Sequence, residues 1–267
     1  MIFRITKLIL PLLVIFINKS EAQILNIDRE ITNDSTLKKW NLCISANYSS
    51  DKLKGNLNDI STRIEIDKRL KNNYVLIGQF NTDATFINKT ILQNEGYSQL
   101  RIRDNDNRKN SIEGFIQYQW NGTLGMLYRQ IIGSNYRFRI LEKNNMDCYI
   151  GMGGFYEIEK WNFDGIDSSV LVTSTDPITR KMYRLNHYWK FAYKLNDKID
   201  ISTVSYFQLP INKDFLNLRW YLEFNTNLTI SKKVSCFIHW DHIIDNYRVV
   251  PISNYYYTFN YGLTLNL

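Results

Sequence analysis

The chain has 267 residues, a formal net charge of +7, 12 glycines, 4 prolines and 44% hydrophobic residues. That composition excludes a collagenous or low-complexity chain and fits one folded domain. Its lysines and arginines are scattered rather than gathered into a stripe, and Cys43, Cys148 and Cys236 are odd in number and match no zinc spacing. Nucleic acid, a bound metal or other cofactor, and a disulfide framework are therefore not expected.

At the N-terminus, Arg4 and Lys7 precede an apolar run from Leu8 to Ile17, and Ser20-Glu21-Ala22 supplies small residues where a signal peptidase reads. The expected organisation is a signal peptide over 1–22, an N-terminal extension over 23–37 and a single β-domain over 38–267. Loss of Arg4, Lys7, Lys19 and Glu21 with the signal lowers the net charge by two. No cysteine stands at the cleavage site, which argues against a lipid anchor. No later segment reaches the roughly 20 apolar residues that a spanning helix needs.

From Lys39 the sequence breaks into period-two segments separated by clusters of Asn, Asp, Lys, Gly and Ser. Strands are expected near 39–49, 58–69, 73–87, 96–104, 112–121, 124–140, 147–161, 183–195, 198–209, 217–230, 233–243 and 254–267. The connections at 71–73, 142–145, 196–197 and 231–232 read as tight, and those at 50–57, 88–95, 162–182, 210–216 and 244–253 as longer. Short turns at one end and long loops at the other are the habit of bacterial outer-membrane barrels. Asp104 to Ser111 is long for a short-turn end, and Asn121-Gly122 reads as a two-residue hairpin.

One parity of each strand is apolar, for example Trp40, Leu42, Ile44, Ala46 and Tyr48, then Ile132, Tyr136 and Phe138, then Leu218, Trp220, Leu222 and Phe224. The other parity carries the charges. Those expected to line the interior are Arg63, Glu65, Arg101, Arg103, Glu113, Arg137, Arg139, Glu157, Glu159, Arg184, Lys190, Arg219, Glu223 and Asp241. Both signs occur in similar numbers, which suits a lumen laced with ion pairs rather than a selectivity lining of one sign. Trp120, Trp161, Tyr183 and Trp220 are placed at the external membrane interface, and Trp40 and Tyr74 at the periplasmic one. The expected fold is an all-β, transmembrane, antiparallel up-and-down β-barrel of about twelve strands, favoured as a monomer in the outer membrane of a Gram-negative bacterium.

Two constellations bear on chemistry. His187 and Ser205 share the lipid-facing parity on adjacent strands, but the simplest register sets His187 opposite Phe207, and Asn186 points inward, so no third group orients the imidazole. His239 and Asp241 share the inward parity, yet two ligands from one strand do not make a metal site. No catalytic site is expected. The reading is an envelope barrel with a structural or passive, porin-like transport role; the alternatives are a lipid-modifying hydrolase and a scaffold displaying loop 162–182 to an outside partner.

Segments spread over most of the chain carry a resemblance: Ile24-Leu25-Asn26-Ile27 with Arg29, Asn94 to Arg103, Gln117 to Gly133, Gly151-Met152-Gly153 with Tyr156-Glu157, and the closing strand. In these the chain resembles the uncharacterised bacterial barrel family called domain of unknown function 481, labelled salt-induced outer membrane protein, in its Bacteroidetes-type form. The resemblance implies a location and a fold, and no functional residues. The final octet also resembles the signal read by the barrel-assembly machinery, with Asn260, Gly262, Leu265 and Leu267, although leucine stands where a terminal aromatic is common. The closing strand is expected to pair with the first and seal the barrel against lipid.

Overall fold

The computed structural model describes residues 40–52, 55–70, 74–88, 90–104, 109–143, 145–167, 169–170, 176–211, 216–231 and 234–265. The expected signal peptide and extension lie outside these residues, as do Asn266 and Leu267.

Alternating β-branched and aromatic residues pair into twelve strands: β1 Trp40–Lys52, β2 Asn56–Arg69, β3 Tyr74–Ile87, β4 Thr90–Asp104, β5 Asn110–Asn121, β6 Met126–Lys143, β7 Met146–Trp161, β8 Ile178–Asn196, β9 Ile199–Pro210, β10 Arg219–Ser231, β11 Val234–Asp245 and β12 Tyr255–Leu265. They form one antiparallel sheet in which every strand is hydrogen-bonded to its neighbours in sequence, the up-and-down order of a β-barrel wall. No α-helix occurs among the described residues.

Most expected strands recur within a few residues, and two begin earlier. β4 starts at Thr90, because a register shift at Thr85/Phe86 lets Ile91 and Gln93 join the ladder. The expected long connection over 88–95 is therefore cut short, with Ile87 paired to Thr90. β8 starts at Ile178, where its partner Trp161 ends β7. The Asn121-Gly122 hairpin is instead a 3-10 turn over Gly122–Leu124 closed by Gly125. Asn121 Oδ1 accepts from the Leu124 N–H at 2.9 Å, and Gly125 sits at φ 79°, where a Cβ would lie 2.8 Å from the Asn162 carbonyl oxygen. Long loops gather at one end only in the second half of the chain, at 162–177, 211–218 and 246–254. That end is called the long-loop end below, and the opposite end the short-turn end.

The two faces of the sheet have exchanged their usual solvents. Large apolar side chains lie exposed on the outside, among them Leu42, Ile44, Ile112, Ile132, Tyr183, Phe259 and Leu263. Arg101, Arg129, Arg184, Glu113, Glu157 and Glu159 are buried on the inside. The wall is strongly curled, because Arg219 on β10 bonds Glu157 and Glu159 on β7. Three strand spacings of about 4.8 Å would separate those strands in a flat sheet.

The expected β12–β1 ladder is absent among the described residues. The interior is filled mainly by β4 to β11, whereas β1 is exposed along nearly its whole length, so little inside draws it toward β12.

Candidate functional site

The interior is layered from the long-loop end to the short-turn end. At the mouth Met126, Trp161 and Val250 are buried together, and Leu124, Phe163, Ile166, Val249 and Ile252 pack against them. Trp161 therefore does not belong to an outer aromatic girdle: it shares the inward parity of Glu157 and Glu159, and its indole N–H donates to Glu159 Oε2 at 3.4 Å. Trp120, Tyr183 and Trp220 do face outward, and Trp120 folds over Gly96, where any Cβ would collide with its ring.

Below the mouth lies a tight knot of charge. Glu157 and Glu159, two residues apart on β7, project to the same side. Arg129 Nη2 lies 2.7 Å from Glu157 Oε2, and Arg129 Nε 3.2 Å from Glu159 Oε1. Arg184 Nε bonds Glu157 Oε1. Arg219 uses all three nitrogens, reaching Glu157 at 3.3 Å, Glu159 at 2.8 Å and Asp245 at 2.8 Å. Arg180 completes the layer, with Nη2 at 2.6 Å from Glu159 and Nη1 donating to the Tyr247 carbonyl at 2.6 Å, which ties loop 246–254 to the knot. In that loop, burial pulls Arg248 below the ordinary guanidinium value, with Asp245 opposing the shift. At the exposed Asp167, hydrogen bonds from Ser169 hold the carboxyl below its usual range.

The next layer is apolar: Phe115, Ile131, Phe155, Tyr188, Val204, Tyr206 and Tyr221 form one buried cluster with Ile243 against it. The Tyr188 and Tyr206 ring centroids are 5.8 Å apart, and those of Tyr206 and Tyr221 5.7 Å. Glycines make room for this septum. A Cβ at Gly151 would stand 1.9 Å from Tyr188 Cε1, and one at Gly133 would stand 2.4 Å from Phe155 Cβ.

Toward the short-turn end three guanidiniums gather around one carboxylate. Arg101, Arg103 and Arg137 surround Glu113 at 4.0, 3.8 and 3.9 Å, beyond hydrogen-bond length. The Tyr188 hydroxyl donates to Glu113 at 3.4 Å, and the Arg137 guanidinium lies 3.6 Å over the Tyr149 ring. Amides run beside this layer, Gln99 donating to Gln117 at 2.7 Å and Gln117 to Gln119 at 2.5 Å. Arg139 pairs with Asp147 at 2.7 Å, and an open hollow at this end is lined by Lys143, Asp147, Lys194, Asp200 and Asn227.

Of the interior residues expected from parity, Arg101, Arg103, Glu113, Arg137, Glu157, Glu159, Arg184, Lys190, Arg219, Glu223 and Asp241 are buried. Arg139 is largely covered, and Arg63, paired with Glu65 at 2.8 Å, is partly open beside β1. Arg129, Glu95 and Asp245 belong with them and lie outside that set. Arg129 and Asp245 share the parity of Arg137 and Asp241, so the same count carried further along each strand finds them. Glu95 falls where a loop was expected, and it accepts from Gln93 at 2.6 Å and Asn121 at 2.5 Å.

His187 and Ser205 stay apart. His187 pairs with Phe207, whereas Ser205 pairs with Trp189 and lies buried beneath Trp220, whose indole N–H donates to it at 2.8 Å. Ser205 in turn donates to the Tyr221 carbonyl at 3.0 Å, so its hydroxyl is committed to the backbone. His239 lies 2.7 Å from Asp241, and no metal-binding group of three ligands occurs among the described residues. The three cysteines are free thiols. Gly262 faces inward under the Phe237 ring, and Asn260 pairs with His239 in the β11–β12 ladder. Leu265 is opposite Val234.

No family model and no curated protein matches the chain. Among solved structures, the NanC porin is similar at a TM-score of 0.44 and 9% identity, over 85% of this chain and 99% of that one. The translocator domain of the autotransporter NalP from Neisseria meningitidis is similar at 0.40 and 10% identity, over 85% of this chain and 87% of that one. Likeness at this level leaves the function to the chain's own interior.

Proposed function

We propose that this chain is an integral outer-membrane β-barrel of a Gram-negative envelope, with a structural role and a lumen sealed by its own side chains. The observation that carries the reading is the exchange of solvents across one sheet: buried arginines and glutamates inside, exposed isoleucine, leucine, tyrosine and phenylalanine outside. An apolar belt of that extent in water would be a liability, whereas lipid is its natural solvent. Export through the signal peptide, insertion by the barrel-assembly machinery and kinship with the domain of unknown function 481 family belong to the same proposal, as does the lack of catalysis.

Between a conducting and a sealed barrel, the layers favour the sealed one. A solute crossing the interior would have to displace the mouth cluster, open the Arg129–Glu157–Arg219 knot and part the tyrosines of the septum. Each step leaves buried polar or charged groups without partners. In planar bilayers the purified protein is expected to give no conductance above the protein-free control. Steady open-channel steps would refute the sealed interior. A boiling-dependent shift in gel migration tests the membrane barrel itself.

A further inference from the structure

Loop 246–254 joins β11 to β12 and brings Arg248 to the edge of the charge knot. The loop is pinned on both sides of this residue. On one side the Tyr247 N–H donates to Asp245 Oδ1 at 3.1 Å, and the Tyr247 carbonyl accepts from Arg180. On the other, Val249 and Val250 belong to the apolar cluster of the mouth. The Arg248 guanidinium lies 4.9 Å from the centre of the Tyr256 ring, and only 9% of the side chain is exposed.

An arginine so enclosed needs an acceptor, and the carboxylate beside it is already committed. Asp245 Oδ2 accepts from Arg219 Nε at 2.8 Å, and Oδ1 accepts from the Tyr247 N–H. Arg248 is left with a long contact, its Nη1 3.8 Å from Asp245 Oδ2. Its other two nitrogens, Nε and Nη2, are buried and meet no hydrogen-bond acceptor among the described residues. A buried donor without an acceptor is destabilising, and a charged one most of all, so two on one residue call for an occupant.

Nε and Nη2 are the parallel donors on one edge of a guanidinium, set at the spacing of two oxygens on a single carboxylate or phosphate. We infer that Arg248 is a binding site for an oxyanion, a carboxylate or phosphate group held by two parallel hydrogen bonds from Nε and Nη2. The surroundings leave that place to a ligand. Arg180 and Arg219 already hold the carboxylates of Glu159 and Asp245 at 2.6 to 2.8 Å. Arg180 adds positive charge beside the loop, with its guanidinium 4.5 Å over the Tyr247 ring and its own Nε buried without an acceptor. The site lies at the long-loop end, so binding there is independent of conduction through the barrel.

The full chain, carrying isotope-labelled arginine in a non-ionic detergent, is titrated with acetate, inorganic phosphate and chloride at constant ionic strength. Acetate and phosphate are expected to shift the Arg248 Nε–H resonance, assigned through the backbone, until it saturates. Chloride, which has no second oxygen for the other prong, is expected to give no saturable shift. A short-chain phosphatidic acid added to the micelles separates the sources. A response to it alone assigns the phosphate of a lipid headgroup, and a response to the free anions assigns a solute. Arg248→Lys keeps the charge and removes the fork, so its affinity by calorimetry is expected to fall by about tenfold or more. Unchanged affinity in that variant would overturn the site. So would a wild-type resonance indifferent to acetate, phosphate and the lipid alike, since water alone would then fill the place, or a chloride response equal to theirs. Should the lysine variant not fold, the wild-type titration decides alone.

Discussion

The two charged layers of the interior are built from the same residue types and held in opposite ways. In the knot near the long-loop end, Arg219 reaches three carboxylates at 2.8 to 3.3 Å, and Glu157 and Glu159 are fully enclosed. In the layer toward the short-turn end, three arginines share the single carboxylate of Glu113 at 3.8 to 4.0 Å. The difference follows from carboxylate supply. β7 places two glutamates on one face and β11 adds Asp245, so every guanidinium in the knot meets an oxygen at bonding distance. Buried ions stabilise a fold only when geometry and hydrogen bonding offset their desolvation, and in the first layer carboxylate oxygens at bonding distance supply that offset. The septum between them keeps the two arrangements separate.

The most demanding test of this contrast is Glu157→Ala. It removes one partner from Arg129, Arg184 and Arg219 at once. A loss of about 3–5 kcal/mol is expected from urea unfolding in detergent. A loss below about 1 kcal/mol would erase the distinction between the layers. The septum is tested next by Gly151→Ala, whose Cβ would stand 1.9 Å from the Tyr188 ring. Overpacking there is expected to cost about 1–3 kcal/mol. Gly78→Ala is the control, because its Cβ would meet nothing closer than 3.7 Å. The smallest effect is expected for Arg103→Gln, within about 1 kcal/mol of the wild type in the same assay, since relief of repulsion from Arg101 and Arg137 offsets the long pair with Glu113. A large loss there would mean that the layer around Glu113 is as tightly bound as the knot.

Much of the fold was legible because a strand repeats with period two, so one alternating count assigns both the wall and the side chains it encloses. The buried charges from Arg101 to Asp241 follow from that count alone. What it could not supply is depth. Parity says inward or outward but not which layer; Trp161, read as a girdle residue for its place at a strand end, already shared the inward parity of Glu157 and Glu159. Nor could it tell that Glu157 meets Arg219, since those residues are three strands apart and are joined only by the curl of the sheet. The early start of β4 depends on a register shift at Thr85/Phe86, which alternation does not encode.

The neighbour-to-neighbour ladder also has a kinetic consequence. Every pairing in the sheet joins strands adjacent in the chain, so the wall can grow hairpin by hairpin with short loop closures. The knot cannot form that way, because Arg219 finds Glu157 only after β7 through β10 are in place and the sheet has curled. Its contacts should therefore be made late in folding and broken early in unfolding. On that order of events, substitutions in the knot would mainly accelerate escape from the native state and leave the speed of assembly nearly unchanged.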